Sequence, residues 1–106
     1  MIARRWRGRV RSADSDAYLA YMEETGVGEL RATPGNRGVV VFRSQPADDG
    51  VDVEVTSLWD RLESIQAFAG DDLEAARFYP EDDHYLIARD LRCSHEEVSL
   101  FLPDRA

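Results

Sequence analysis

Val51-Asp52-Val53-Glu54-Val55-Thr56-Ser57-Leu58-Trp59 is the stretch on which the fold turns. Val51, Val53, Val55, Ser57 and Trp59 take one side and Asp52, Glu54, Thr56 and Leu58 the other, the period of two that belongs to a half-buried strand. Immediately before it, Pro46-Ala47-Asp48-Asp49-Gly50 is a short polar connection, so Val39 to Ser44 is expected to lie antiparallel beside it. Immediately after it, Asp60 is placed to cap a helix that carries Leu62, Ile65, Phe68 and Ala69 on one side and is closed by Gly70.

The same order occurs further out on the N-terminal side. Ile2 to Val10 puts Ile2, Trp6 and Val10 on one face and Arg5, Arg7 and Arg9 on the other, a first strand. Ser12 to Asp16 offers N-cap and acidic first-turn residues to a helix carrying Tyr18, Tyr21, Met22 and Thr25, with Gly26 and Gly28 ending it. Thr33-Pro34-Gly35-Asn36 has proline and glycine where a type II turn requires them. Beyond Gly70, a second helical piece is expected to carry Leu73, Ala76 and Phe78, and Pro80 to open another turn of helix with Glu81, Asp82 and Asp83 near its positive end. A last strand is expected from about Arg92 to Leu102, stopped by Pro103. Strand, helix, strand, strand, helix, strand is the ferredoxin-like βαββαβ order of an α+β domain. It predicts a four-stranded antiparallel sheet with the first and third strands central and the helices on one face.

A chain of 106 residues fits one domain, 1–106, and buries enough surface to stand without staples. No apolar run approaches a membrane span, and the N-terminus lacks the apolar stretch of a secretory signal, so no membrane partner and a cytoplasmic location are expected. The single cysteine, Cys93, excludes an intramolecular disulfide and Cys-pair metal motifs, and suits a reducing compartment. A net charge of -8 argues against nucleic acid, which needs a clustered positive surface. Arginines do cluster at Arg4, Arg5, Arg7, Arg9 and Arg11. Lysine is absent, which removes Schiff-base chemistry and lysine-anchored pyridoxal phosphate. No Gly-x-Gly-x-x-Gly, Walker-type loop, Gly-x-Ser-x-Gly or His-Glu-x-x-His motif occurs, so neither a nucleotide cofactor nor the usual hydrolase apparatus is expected.

Ile2-Ala3-Arg4-Arg5-Trp6-Arg7-Gly8, Tyr18-Leu19-Ala20-Tyr21, Ala32-Thr33-Pro34-Gly35-Asn36-Arg37-Gly38, Ser57-Leu58-Trp59-Asp60-Arg61-Leu62-Glu63-Ser64-Ile65 and Phe78-Tyr79-Pro80-Glu81-Asp82-Asp83 together resemble the antibiotic biosynthesis monooxygenase (ABM) superfamily over nearly the whole chain. The resemblance implies a dimeric α+β barrel, in which the sheets of two protomers close on each other and each protomer keeps a pocket between its sheet and its helices. It implies a cofactor-independent monooxygenase-like protein that oxidises or binds a planar aromatic, quinol-like or polyketide-like molecule. The alternative, from the non-catalytic relatives, is a ligand-binding or accessory dimer of a biosynthetic pathway. A third reading, haem binding and breakdown, lacks its residue: Leu62 to Gly70 contains no histidine to serve as axial ligand.

Within that frame Trp59 and Trp6 share inward parity and are expected to wall a pocket against an aromatic ligand, with Tyr18, Tyr21, Met22, Phe68 and Phe78 as further substrate-binding residues. Each also suits a plain core. His84 and Tyr79, in the polar segment Phe78 to Tyr85, are the candidate catalytic proton carriers. The carboxylates of that segment read otherwise as a solvated helix start, and as consecutive residues they make no metal site. His95 reads as structural or surface, and Cys93 has no basic partner in its own segment to make it a nucleophile. Arg5, Arg7 and Arg9 against Asp52 and Glu54 form either an ion-paired ladder or the seam of a homodimer through the sheet face; the barrel favours the seam.

Overall fold

The computed structural model describes residues 1–105. Its strands are β1 (Ile2–Arg11), β2 (Asn36–Arg43), β3 (Gly50–Trp59), β4 (Leu86–Arg89) and β5 (Ser94–Glu97), and its α-helices are α1 (Ser15–Glu24), α2 (Gly26–Ala32), α3 (Gln66–Ala69) and α4 (Asp82–Tyr85). The sheet is antiparallel and open, in the order β2-β3-β1-β4, and β5 also pairs with β1. This is the ferredoxin-like α+β arrangement, with the first and third strands central as the alternation requires.

The register explains the two faces. Trp6 lies opposite Val55 and Val10 opposite Val51, while Arg7 lies opposite Glu54 and Arg9 opposite Asp52. Val10, Val51, Val53, Val55 and Trp59 are buried together with Tyr18, Met22 and Leu30 of the helices. Each such side chain contributes roughly 1.5–3 kcal/mol by leaving water. Val40 and Phe42, paired with Thr56 and Glu54, therefore point to the outer face, where they are exposed. The hairpin between β2 and β3 is a type I′ turn: Asp48 and Asp49 both have positive φ, 51° and 60°, and Ala47 and Gly50 exchange backbone hydrogen bonds. At the other end of β2, Gly35 takes the φ of +90° that the third position of a type II turn needs, and the Asn36 amide closes the turn on the Thr33 carbonyl at 3.1 Å.

Three expectations are corrected. The first helix does not stop at Gly26 and Gly28. Thr25, with φ −110° and ψ −96°, breaks it, and α2 begins at Gly26. A Cβ on Gly26 would stand 3.3 Å from the Tyr79 ring, so the glycine serves a close approach rather than a helix end. Leu73, Ala76 and Phe78 do not lie on a helix. The segment is irregular, held by a bridge between Ala75 and Arg92, with the Ala76 amide donating to the Leu91 carbonyl and the Cys93 amide to the Glu74 carbonyl. The last strand runs neither from Arg92 nor to Leu102. It starts at Leu86, breaks over residues 90–93, and ends at Glu97, so that β4 and β5 follow one edge of β1 in succession. Trp6 fills the break: its indole Nε1 donates to the Asp90 carbonyl at 2.8 Å.

Candidate functional site

A cavity lies between the inner face of the sheet and the helices, walled by Trp6, Tyr18, Met22, Phe68, Phe78 and Tyr79, with Arg4, Ser57, Asp82 and Cys93 among its polar lining. The space open to the centre of a water molecule is about 60 Å³, several times the roughly 10–15 Å³ that one water needs on that measure. A larger hollow lies on the outer sheet face around Arg7, Arg9, Phe42 and Glu54, but it is a charged, open surface rather than an enclosed apolar site.

Six of the nine residues expected at the site meet here: Trp6, Tyr18, Met22, Phe68, Phe78 and Tyr79. Trp6 meets Phe78 edge to face, with ring centroids 6.3 Å apart. Three expected residues lie elsewhere. Trp59 is fully buried in the core and donates its Nε1–H to Ser57 Oγ at 2.9 Å, so it backs the cavity through Ser57 without lining it. Tyr21 leans on Tyr85, and its hydroxyl accepts the Glu81 amide at 2.9 Å. His84 is exposed, edge-on against Tyr85 and outside the cavity walls.

The structure adds residues that the reading of the chain did not assign to the site. Asp82 is only 6% exposed, not a solvated helix-start carboxylate as expected. Its Oδ2 accepts the Tyr79 amide at 2.7 Å, a reach-back across three residues that ties the carboxylate into the wall. Burial raises its pKa above the ordinary carboxylate value, with Asp83 adding to the rise and the Tyr79 amide and Arg89 opposing it. Tyr18 is held as a neutral phenol by burial and by the Asp82 carboxylate. Tyr79 is likewise held neutral, by burial and by donating its hydroxyl to Glu29 at 2.7 Å; Arg77 pairs with the same carboxylate at 2.9 Å. Around these rings stand three guanidinium groups: Arg4 and Arg77 over Phe68 at 5.5 and 5.2 Å, and Arg89 over Phe78 at 4.7 Å.

Arg4 is the least expected of them. It shares the inward parity of Ile2, Trp6 and Val10 and is 5% exposed. Its Nη1 donates to Cys93 Sγ at 3.0 Å and its Nη2 to the Ala75 carbonyl at 2.7 Å, and its buried Nε has no partner. Burial lowers its pKa below the usual arginine value, and burial pushes the Cys93 thiol up against the opposing pull of Arg4. The parity of β1 was the available signal for Arg4. For Cys93, which enters the wall only because the edge strand breaks before it, no local signal exists. No cluster of three or more ligating side chains suited to a metal ion occurs among the described residues.

No family model and no curated protein matches the chain. Solved structures do. One is a Bacillus cereus protein assigned to the antibiotic biosynthesis monooxygenases, with a TM-score of 0.67 at 17% identity, covering 100% of this chain and 98% of that one. Another is an uncharacterised NIPSNAP domain protein from Burkholderia xenovorans, with a TM-score of 0.60 at 18% identity, covering 98% of this chain and 100% of that one. Both matches extend over essentially the whole of each chain. The chain thus has the fold of the ABM-like, ferredoxin-like proteins.

Proposed function

We propose that the chain binds a planar aromatic small molecule between its sheet and helices and oxidises it with dioxygen, as a cofactor-independent monooxygenase-like protein. One observation carries the reading: a cavity whose walls are the flat faces and edges of Trp6, Phe68, Phe78, Tyr18 and Tyr79 has a single buried carboxylate, Asp82, in its lining. Aromatic walls position a planar ring, and a carboxylate with a raised pKa is a proton acceptor matched to a phenol. The balance closes without a cofactor. A phenol and dioxygen give a quinone and water, one oxygen atom going to the ring carbon and the other leaving as water. Asp82 takes the phenolic proton that starts the step, while the Tyr79 hydroxyl stays bonded to Glu29 in the same wall. His84, on the outside, is left without a part in this scheme.

Two copies pair, in this reading, through the outer sheet face, where Val40 and Phe42 are 45% and 53% exposed. The free, buried Cys93 suits a reducing cytoplasm. The fold of the Bacillus cereus protein supports the monooxygenase-like reading, and the absence of any histidine on Leu62 to Gly70 speaks against haem.

Oxygen uptake with a panel of mono- and bicyclic hydroquinones tests the proposal. The expected result is turnover in the wild type, loss of at least about a hundredfold in Asp82→Asn with ligand binding kept, and wild-type turnover in His84→Ala. Saturable binding without oxygen uptake across the panel instead favours the accessory ligand-binding dimer.

A further inference from the structure

The polar groups of the cavity are unequal in what they bind. Arg77, in the lining, has Glu29 at 2.9 Å, and Arg89, outside the lining but over the Phe78 ring, has Asp83 at 2.6 Å, so both charges are matched. Arg4, deeper and on the sheet itself, has no carboxylate within salt-bridge distance among the described residues. Of its five N–H groups, only two find acceptors, a thiol sulfur and one backbone carbonyl. Its Nε lies buried with nothing to donate to. A guanidinium taken out of water with no counter-charge is expensive, and an anion arriving from outside would offset that cost. The surroundings are fitted for such an arrival: Arg4 stands over the Phe68 ring and lines the same cavity as Trp6 and Phe78.

We propose that Arg4 is the anion-binding residue of the cavity and takes the oxyanion of an aromatic ligand, a carboxylate or a phenolate, whose ring lies among Trp6, Phe68 and Phe78. The inference rests on the reading of the cavity as an aromatic-ligand site and narrows it to monoanionic aromatics. Cys93 supplies no rival charge, because burial favours its neutral thiol. A thiolate already seated on Arg4 would in any case abolish the preference for an anion that the proposal requires.

The test is calorimetric titration of the full chain with benzoate, with benzamide as its neutral isostere, and with 4-nitrophenol as a chromophore that reports its own ionisation. Benzoate is expected to bind roughly ten- to a hundredfold more tightly than benzamide, the span of a charge-assisted hydrogen bond. Bound 4-nitrophenol is expected to ionise about one to three pH units lower than free, as beside any close opposite charge. A preference for benzoate without the 4-nitrophenol shift identifies carboxylates as the ligand; the shift without the preference identifies phenolates. In Arg4→Met both effects should vanish while benzamide binding stays within about threefold. Equal binding of benzoate and benzamide by the wild type, with no spectral shift, overturns the anion site and leaves the aromatic cavity standing. If none of the three probes binds, the aromatic-cavity reading fails and the anion site fails with it. Because the wild-type comparisons decide the matter alone, poor folding of Arg4→Met does not protect the proposal.

Discussion

The two faces of β1 carry the same residue to opposite ends. On the outer face, Arg5 reaches Glu54 and Glu96, each at 3.1 Å, Arg7 reaches Glu54 at 2.9 Å and Arg9 reaches Asp52 at 2.8 Å. One residue away in sequence, Arg4 turns to the inner face and meets a thiol, a carbonyl and aromatic rings. The outer ladder closes within one chain, so its charges are satisfied before any partner arrives. It matches the ion-paired alternative for those residues, and it leaves Val40 and Phe42 as exposed apolar side chains on the same face. The difference teaches that arginine content alone says little about this sheet. Where water reaches, a matched pair adds little. Where it does not, the unmatched cation sets what the cavity can accept.

Charge reversal breaks the comparison most sharply. Arg4→Glu leaves a buried carboxylate among aromatic rings and should lower unfolding stability by about 3–5 kcal/mol, whereas Arg7→Glu on the opposite face should cost no more than about 1 kcal/mol. Urea denaturation of both variants checks it, and equal losses would show that the two faces do not differ in the way their burial indicates.

The outer face is then probed as an interface. Phe42→Glu sets a charge at the centre of its apolar patch and should raise the dimer dissociation constant by at least about tenfold while monomer stability changes little. Sedimentation measures it, and a wild-type chain that runs as a monomer of about 12 kDa at micromolar concentration contradicts the pairing.

The smallest effect is a pH dependence on the outer ladder. Burial acts to raise the Glu54 pKa, but hydrogen bonds from Arg7, Arg5 and Thr56 outweigh it and leave the carboxylate below its usual value of 4.5. A depressed folded-state pKa means stability that is present above pH 4.5 and is lost as pH falls through the lower, folded value. Glu54→Gln should therefore flatten the acid limb of the stability curve below that pH and leave its neutral plateau only slightly lower. An unchanged acid limb would mean that the ladder does not hold in solution.

How much of this was legible in the chain follows from which signals are local. The alternation of Val51 to Trp59, the proline-glycine turn at Pro34-Gly35 and the parity of Ile2, Trp6 and Val10 are each set by neighbours two residues away, and they define the sheet order. The bounds of the edge strand are not legible locally, because residues 90–93 break off and the Asp90 carbonyl takes the Trp6 indole N–H, a contact 84 positions away in sequence that no local pattern records. The same break turns Cys93 inward onto Arg4. Leu73, Ala76 and Phe78 have helical spacing, yet they are tied to residues 91–93 by backbone bonds that override it. Asp82 looked solvated because acidic neighbours flank it; the Tyr79 amide, by capturing its carboxylate, pulls it under. Trp59 points inward as its parity requires, but parity cannot tell a cavity wall from the layer behind it.

In the proposed function an aromatic ligand enters between sheet and helices and rests against Trp6. The two indoles provide a direct test, since Trp6 lines the cavity and donates its Nε1–H to the Asp90 carbonyl, whereas Trp59 lies in the core and donates its Nε1–H to Ser57. Titration with 1-naphthol, followed in the two indole N–H resonances assigned through Trp6→Phe, reads both at once. The account predicts a saturable shift of the Trp6 resonance at one ligand per chain, with a much smaller shift at Trp59. Two unmoved resonances, or a Trp59 shift without one at Trp6, would contradict it.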